Sequence, residues 1–309
     1  FGPPEVAAMS AAVSPGAGRA YGVERVCAAW GLARSSFYSG RQAAGGAKLP
    51  ANRRGPKPTI SDENLLAAIR ADLAASPWQG EGHRKVWARL RVRDGIRVAR
   101  KRVLRIMREN ALLSPHRCRR RKARVHDGEI VTEAPNVMWG TDGVRVFTVE
   151  DGWSWIFTAV EHWNAECVGW HVCKKGDRFA AAQPISMGLA RLYGSTAAGT
   201  ARGLSLRMDH GTQYLSEFFT RQIAYWGIRP SYAFVEQPQT NGVAERFNRT
   251  LKEQIIHGRI YRNIDELRDA VRKFVETYNA QWLVEKNGYL SPGQARHAWC
   301  EAVSLRAAA

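Results

Sequence analysis

The run VMWGTDGVRVFTV at residues 137–149 leads through a Glu150-Asp151-Gly152 turn into WSWIFTAV (153–160) and then, after a short polar break, into ECVGWHVC (166–173). Each run is rich in β-branched and aromatic residues and bounded by turn residues, so the three read as consecutive antiparallel strands. Downstream, residues 178–193 have a helical pattern in which Pro184 is expected to produce a kink. GLSLRMD (203–209) is a short buried strand, SEFFTRQIAYW (216–226) a helix stopped by Gly227, and IRPSYA (228–233) a fifth strand. A long helix begins near Asn241. A strand meander followed by strands alternating with helices predicts an α/β domain, a mixed five-stranded sheet with helices on both faces.

Upstream of this domain the period is helical. Ser61 is a candidate N-cap with Asn64 at the third helical position, and Leu65, Leu66, Ile69 and Leu73 form one apolar face as far as Ser76-Pro77. A second helix fits residues 82–91 and a third 99–109. In the third, Ala99, Val103, Ile106 and Met107 face inward, while Arg100, Lys101, Arg102, Arg105 and Arg108 crowd the rest. Three short helices with so basic a last member read as an all-α helix-turn-helix domain over 61–113, its final helix in the major groove. The plainer alternative is a three-helix bundle with a charged surface. Residues 1–20 are expected as a disordered tail. Residues 21–60 are read as a short helical segment and a Gly/Pro-rich basic linker, 114–134 as a basic connector, and 135–300 as the α/β core with its C-terminal tail.

Charge supports this division. The chain of 309 residues carries 46 Lys and Arg against 28 Asp and Glu, and the whole excess of +18 falls within the first 125 residues. Positive charge confined to one part marks a polyanion-binding arm joined to a near-neutral domain, because Lys and Arg displace the counterions of phosphates. Nucleic acid is therefore the first partner expected. The five cysteines are scattered without a CxxC pair, which argues against a disulfide framework or a zinc knuckle. No run approaches the ~18 apolar residues of a membrane helix, so a cytoplasmic location is expected and no membrane partner.

Three acidic residues stand at the ends of elements. Asp142 lies in the first strand, Asp209 at the C-terminal end of the fourth, where sites on open sheets form, and Glu245 in the first turn of the long helix. A carboxylate in a first helical turn is favoured by the helix dipole in any case. Together, however, the three have the chemistry to ligate two Mg²⁺ or Mn²⁺ ions, since hard oxygen donors suit these ions and a two-ion clamp serves phosphodiester attack. Asn241, Glu245, Asn248 and Lys252 form one polar stripe on the helix, flanked by Arg246 and Arg249, with Val243, Phe247, Leu251 and Ile255 on the buried side.

WGTD (139–142), MDHGTQYLS (208–216) and TNGVAERFNRTLKE (240–253), in this order and with this spacing, resemble the retroviral-integrase-like DDE transposases, and among them the second-reading-frame product of the insertion-sequence-three family. GHRKVWARLR with VARKRVLRIMRENALL resembles the helix-turn-helix segment before the core there, and YNAQWLVEKNGYLSP resembles the family's tail. The likeness covers residues 20–300. It departs at Glu161-His162-Trp163-Asn164-Ala165-Glu166, where Asp-x-x-Ser-Arg is common, and at Gln281-Trp282, where Arg-Pro or a similar pair is common. The resemblance implies an RNase H-like integrase core and a DNA transposase. In that reading Asp142, Asp209 and Glu245 are the catalytic and metal-binding residues, and Asn248 and Lys252 contact DNA. It also implies double-stranded DNA as partner, both element ends and target, a homo-multimer, and a first-frame helix-turn-helix product as a further partner. The rival readings are a non-catalytic DNA-binding relic or domesticated transposase, and a structure-specific nuclease of the RNase H type.

Overall fold

The computed structural model describes residues 2–44, 59–114, 131–232 and 242–308. It forms two compact units, Phe1–Thr59 and Ile60–Ala309. Most of the basic linker and the basic connector, with Cys118 and Asn241, lie outside the described residues.

The first unit corrects the expected tail. Residues Pro3–Ala11 form helix α1, followed by α2 (Val23–Ala29) and α3 (Arg34–Ala44). Proline at the first helical position and the Glu5 carboxylate accepting from the Gly2 amide start α1, and its alanines have the highest helix propensity. Composition alone suggested disorder because a single apolar contact carries this helix: Val6 is buried with Val26, Cys27 and Phe37.

The second unit opens with α4 (Asp62–Ala75), α5 (His83–Val92) and α6 (Arg100–Glu109), close to the expected bounds. Ser61 caps α4, its Oγ accepting from the Asn64 amide at 3.1 Å. Leu65, Ile69, Val86, Leu90, Val103, Ile106 and Met107 meet as one core. Beside it lies a buried ion cluster that the sequence did not announce. Arg89, 3% exposed, forms a two-pronged pair with Asp72 at 2.7 Å and bonds Glu81 as well, while Ser76 Oγ donates to Glu81 at 2.7 Å. Neither carboxylate can be left without its cation in so dry a place.

Five strands follow: β1 (Met138–Thr148), β2 (Gly152–Glu161), β3 (Cys167–Cys173), β4 (Ser205–Met208) and β5 (Arg229–Tyr232). Their order is β3-β2-β1-β4-β5, antiparallel through the meander and parallel from β1 to β4 and β5. One face is covered by α7 (Arg178–Tyr193), α8 (Thr212–Leu215) and α9 (Glu217–Tyr225), whose Ile185, Leu189, Tyr214 and Phe219 pack on Trp139, Phe157 and Leu206. The other is covered by α10 (Gly242–Leu251) and α11 (Ile264–Gln281), with Phe247, Leu251, Val271 and Phe274 on Val144, Val146 and Ile156. This is the expected RNase H-like core, a mixed sheet between helical layers. Pro184 sits inside α7 as expected. There the helix comes so near β3 that a Cβ on Gly169 would fall 1.9 Å from the Pro184 carbonyl oxygen.

Beyond α10 the sequence reading assigned no elements, and the structure adds α11 and α12 (Pro292–Ala308). The tail motif is a docking device. The Asn279 amide pairs with both backbone groups of Cys167 on β3, at 3.0 and 2.9 Å, and Ser291 Oγ accepts from the Gln294 amide at the start of α12. The departing loop is likewise structural: Glu161 and Glu166 are buried, and Arg296 of α12 pairs with both.

Two substitutions test this packing by thermal or urea unfolding. Gly169→Ala is expected to cost about 1–3 kcal/mol, because backbone rather than a flexible side chain occupies the space. Arg89→Leu is expected to cost about 3–5 kcal/mol by stranding Asp72 and Glu81, and a variant as stable as wild type would refute the role given to this cluster.

Candidate carboxylate site

The sheet register decides which acidic residues meet. Strands β1 and β4 run parallel with Met138 beside Ser205 and Gly140 beside Arg207, so Asp142 and Asp209 each follow the last of these pairs by two residues, at the same end of the sheet. Side chains alternate along β1. Thr141 reaches Tyr214 on the α7–α9 face, at 3.5 Å between hydroxyls, whereas Asp142 points with Val144 and Val146 toward α10. Glu245 lies in the first turn of α10, exposed, at the same edge of the core.

Charge effects bring the three together. Burial raises the Asp142 carboxyl above its ordinary 3.8, Asp209 adds to the rise, and Asn248, the Gly143 amide and Lys252 oppose it. Burial likewise raises Glu245 above 4.5, with the charge of Asp142 adding to it. The two aspartates are each turned onto a local donor: Asp142 Oδ1 accepts from Gly143 N at 2.7 Å and Asp209 Oδ1 from Gly211 N at 2.9 Å. Among the described residues, no three His, Cys, Asp or Glu side chains are gathered closely enough to form a ready-made metal group.

Asn248 was expected to face DNA, and the structure corrects this. It is 2% exposed, its Nδ2 donating to Asp142 Oδ2 at 2.9 Å and its Oδ1 accepting from Thr158 Oγ1 at 3.0 Å. Phe247 and Leu251 are anchored in the core on either side, and that packing turns Asn248 inward while Glu245 and Lys252 stay exposed. Thr158, missed in the sequence reading, lies directly across β1–β2 from Asp142. A signal existed, because every β1–β2 pair mirrors about the turn that the sequence did reveal. Lys252 is exposed and near enough to Asp142 to favour its charged form. It opens a π-helical turn, Lys252–Ile256, a distortion often found at functional sites.

The five basic residues of α6 divide. Arg102 and Arg105 pair with Asp62, both at 2.6 Å, and Arg100 reaches Glu285 at 3.7 Å. Lys101 and Arg108 are exposed and form no ion pair among the described residues. Only these two therefore keep an uncommitted charge for phosphate contact.

Titration of Asp142 by carboxyl ¹³C NMR provides a test with two signs. Asn248→Leu removes a donor to the ionised form, so the Asp142 pKa should rise further. Asp209→Asn removes a neighbouring negative charge, so it should fall. Two shifts of the same sign would contradict this arrangement.

The comparisons agree with the architecture. The integrase core domain model matches residues 226–292, which include α10, and the HTH-like domain model matches residues 61–122. The transposase for insertion sequence element IS629 of Shigella sonnei is 26% identical over 297 residues, 90% of this chain and 93% of its own length. Transposase InsD for insertion element IS2A/D/F/H/I/K of Escherichia coli is 31% identical over 207 residues, 63% of this chain and 65% of its own. The 48.2 kDa protein of insertion element IS2A is 31% identical over 258 residues, 79% of this chain and 58% of its own, so the chain spans less than two thirds of either IS2 relative. The catalytic core domain of BIV integrase overlaps 55% of this chain and 98% of its own at 19% identity, with a TM-score of 0.37. The chain thus carries one stretch that matches an HTH-like domain and one that matches an integrase core domain, and along most of its length it is similar to insertion-sequence transposases.

Proposed function

We propose that the chain nicks DNA at the ends of an insertion sequence and transfers the freed 3′-OH into target DNA, with Asp142, Asp209 and Glu245 as its catalytic carboxylates. The observation that supports this most directly is the charge coupling of Asp142 to Asp209 and of Glu245 to Asp142 at one edge of the core. Negative charge gathered in this way gains from a shared cation, and the oxygen-only donor set suits Mg²⁺ or Mn²⁺. Two such ions, when bound, supply Lewis acidity for the attacking and leaving oxygens. In the first step water attacks the phosphodiester at the element end and a 3′-OH leaves. In the second that 3′-OH attacks a target phosphodiester in line, forming a new phosphodiester while the P–O3′ bond of the target strand breaks and its 3′-OH leaves. The protein's own groups position the reactants. Asn248 and Gly143 hold Asp142, Gly211 holds Asp209, and Lys252 lies where a DNA phosphate would approach the carboxylates. Lys101 and Arg108 are the α6 candidates for backbone contact.

Handling two element ends calls for a homo-multimer, and a first-frame helix-turn-helix product is a candidate partner in end recognition. The DNA substrate implies action in the cytoplasm, at the nucleoid. Among the described residues no helix is long and apolar enough to cross a membrane.

The deciding assay is nicking and strand joining on a plasmid carrying the native locus, in Mg²⁺ or Mn²⁺, for wild type and Glu245→Gln. Wild type is expected to give breaks at the element ends and joined products. The variant should bind the locus but lose cleavage by about three orders of magnitude or more. Binding by both proteins with cleavage by neither, even with the first-frame product added, would replace this reading with that of a DNA-binding relic.

A further inference from the structure

The helical domain and the catalytic helix meet in a seam built on Trp282, one of the two residues at which the tail departs from the family pattern. Trp78, just after α4, is buried there with its ring 6.0 Å from Phe274 and 5.1 Å from Trp282. Beside it Gln254, in the π-helical turn after α10, bonds both backbone groups of Gln79, accepting from its amide at 3.0 Å and donating to its carbonyl at 2.9 Å. The Lys85 ammonium of α5 sits 4.0 Å above the Trp282 ring. Trp282 stacks on Tyr278 at 5.8 Å, and Tyr278 packs edge-on against Phe247, the residue after Arg246.

This seam gathers cations without a carboxylate for each. Glu81 is held by Arg89 and Ser76, and Glu285 by Arg84 and Arg100. Lys85 makes no ion pair among the described residues, nor does Arg246, which is exposed one residue from Glu245. We propose that Lys85 and Arg246 close together on one phosphate of the DNA backbone, so that duplex held by the helical domain is delivered in register to Glu245. The inference rests on the transposase reading and adds to it a specific contact that joins the two domains.

A half-buried ammonium beside other cations is costly, and an arriving phosphate offsets that cost. Burial pushes Lys85 down from 10.5 to about 7. That value already includes the charges of Arg246 and Arg89, which add to the fall, and of Glu81 and Glu285, which oppose it. DNA binding should therefore take up a proton above neutral pH, and affinity should fall as pH rises through and beyond about 7.

The test is fluorescence anisotropy of a short duplex of arbitrary sequence against salt concentration and pH, on full-length protein whose unfolding midpoint is checked for each variant. Lys85→Gln should lower the slope of log affinity against log salt by about one phosphate contact. Lys85→Arg keeps a cation that does not titrate, so it should retain that slope and lose the pH-dependent fall. Lys85→Gln combined with Arg246→Gln should weaken binding by less than the product of the single effects, since both lose the same phosphate. An unchanged salt slope in Lys85→Gln, or a pH dependence that survives in Lys85→Arg, would overturn the clamp. If wild type nicks and joins its element in that event, the transposase reading stands without it. A chain that binds no duplex at all overturns both.

Discussion

Setting carboxylates side by side is unfavourable, and much of the core can be read as the means of doing so. Strand pairing supplies the force. The parallel pairing of β1 with β4 brings Asp209 to the same end of the sheet as Asp142 at the cost of like-charge repulsion, which the hydrogen-bonded sheet and the apolar layers on both faces outweigh. The same sheet supplies the compensation, because Thr158 stands across from Asp142 and orients the Asn248 amide that bonds it. A carboxylate held this way is fixed in direction, which is what presenting a lone pair to a cation requires. Asn248 bears on this site through its hydrogen bond to Asp142.

The second unit is more continuous than a DNA-binding arm tethered to a catalytic core. Trp78 belongs to the same apolar cluster as Phe247 and Leu251 of α10, and Gln254 ties the end of that helix to the segment between α4 and α5. The helix that carries Glu245 is therefore part of the surface on which the helical domain rests. The charge of that domain is also more committed than its composition suggests. Arg89, Arg102 and Arg105 are engaged in ion pairs that hold the three helices together, so the net charge of the chain overstates the cations that face outward.

Several features were legible because a local signal carried them. Strands β1 to β5 lie within one or two residues of their sequence bounds, since alternation and turn residues act over a few neighbours. The Ser61 cap and the buried side of α10 follow from helical period in the same way. Helix α1 is not legible because its stretch lacks periodicity and is rich in Ala, Gly and Pro, and α11 and α12 lie in a tail whose motif carries a likeness and no stated period. The inward turn of Asn248 defied the stripe argument. A helical wheel shows which residues share a face, but not that this edge of the polar face lies against a strand bearing an aspartate.

By itself the sequence determined the order of elements, the identity of three acidic residues at element ends and the concentration of positive charge before residue 125, because each is a property of the chain read in one dimension. The tertiary structure alone decided which groups share an environment. It brought Asp142 and Asp209 to one end of the sheet, turned Asn248 inward, committed Arg102 and Arg105 to Asp62, and placed Lys85 over Trp282. The physical reason is that hydrogen bonds, burial and charge coupling act through space over a few ångströms, whereas these partners lie tens to hundreds of residues apart along the chain.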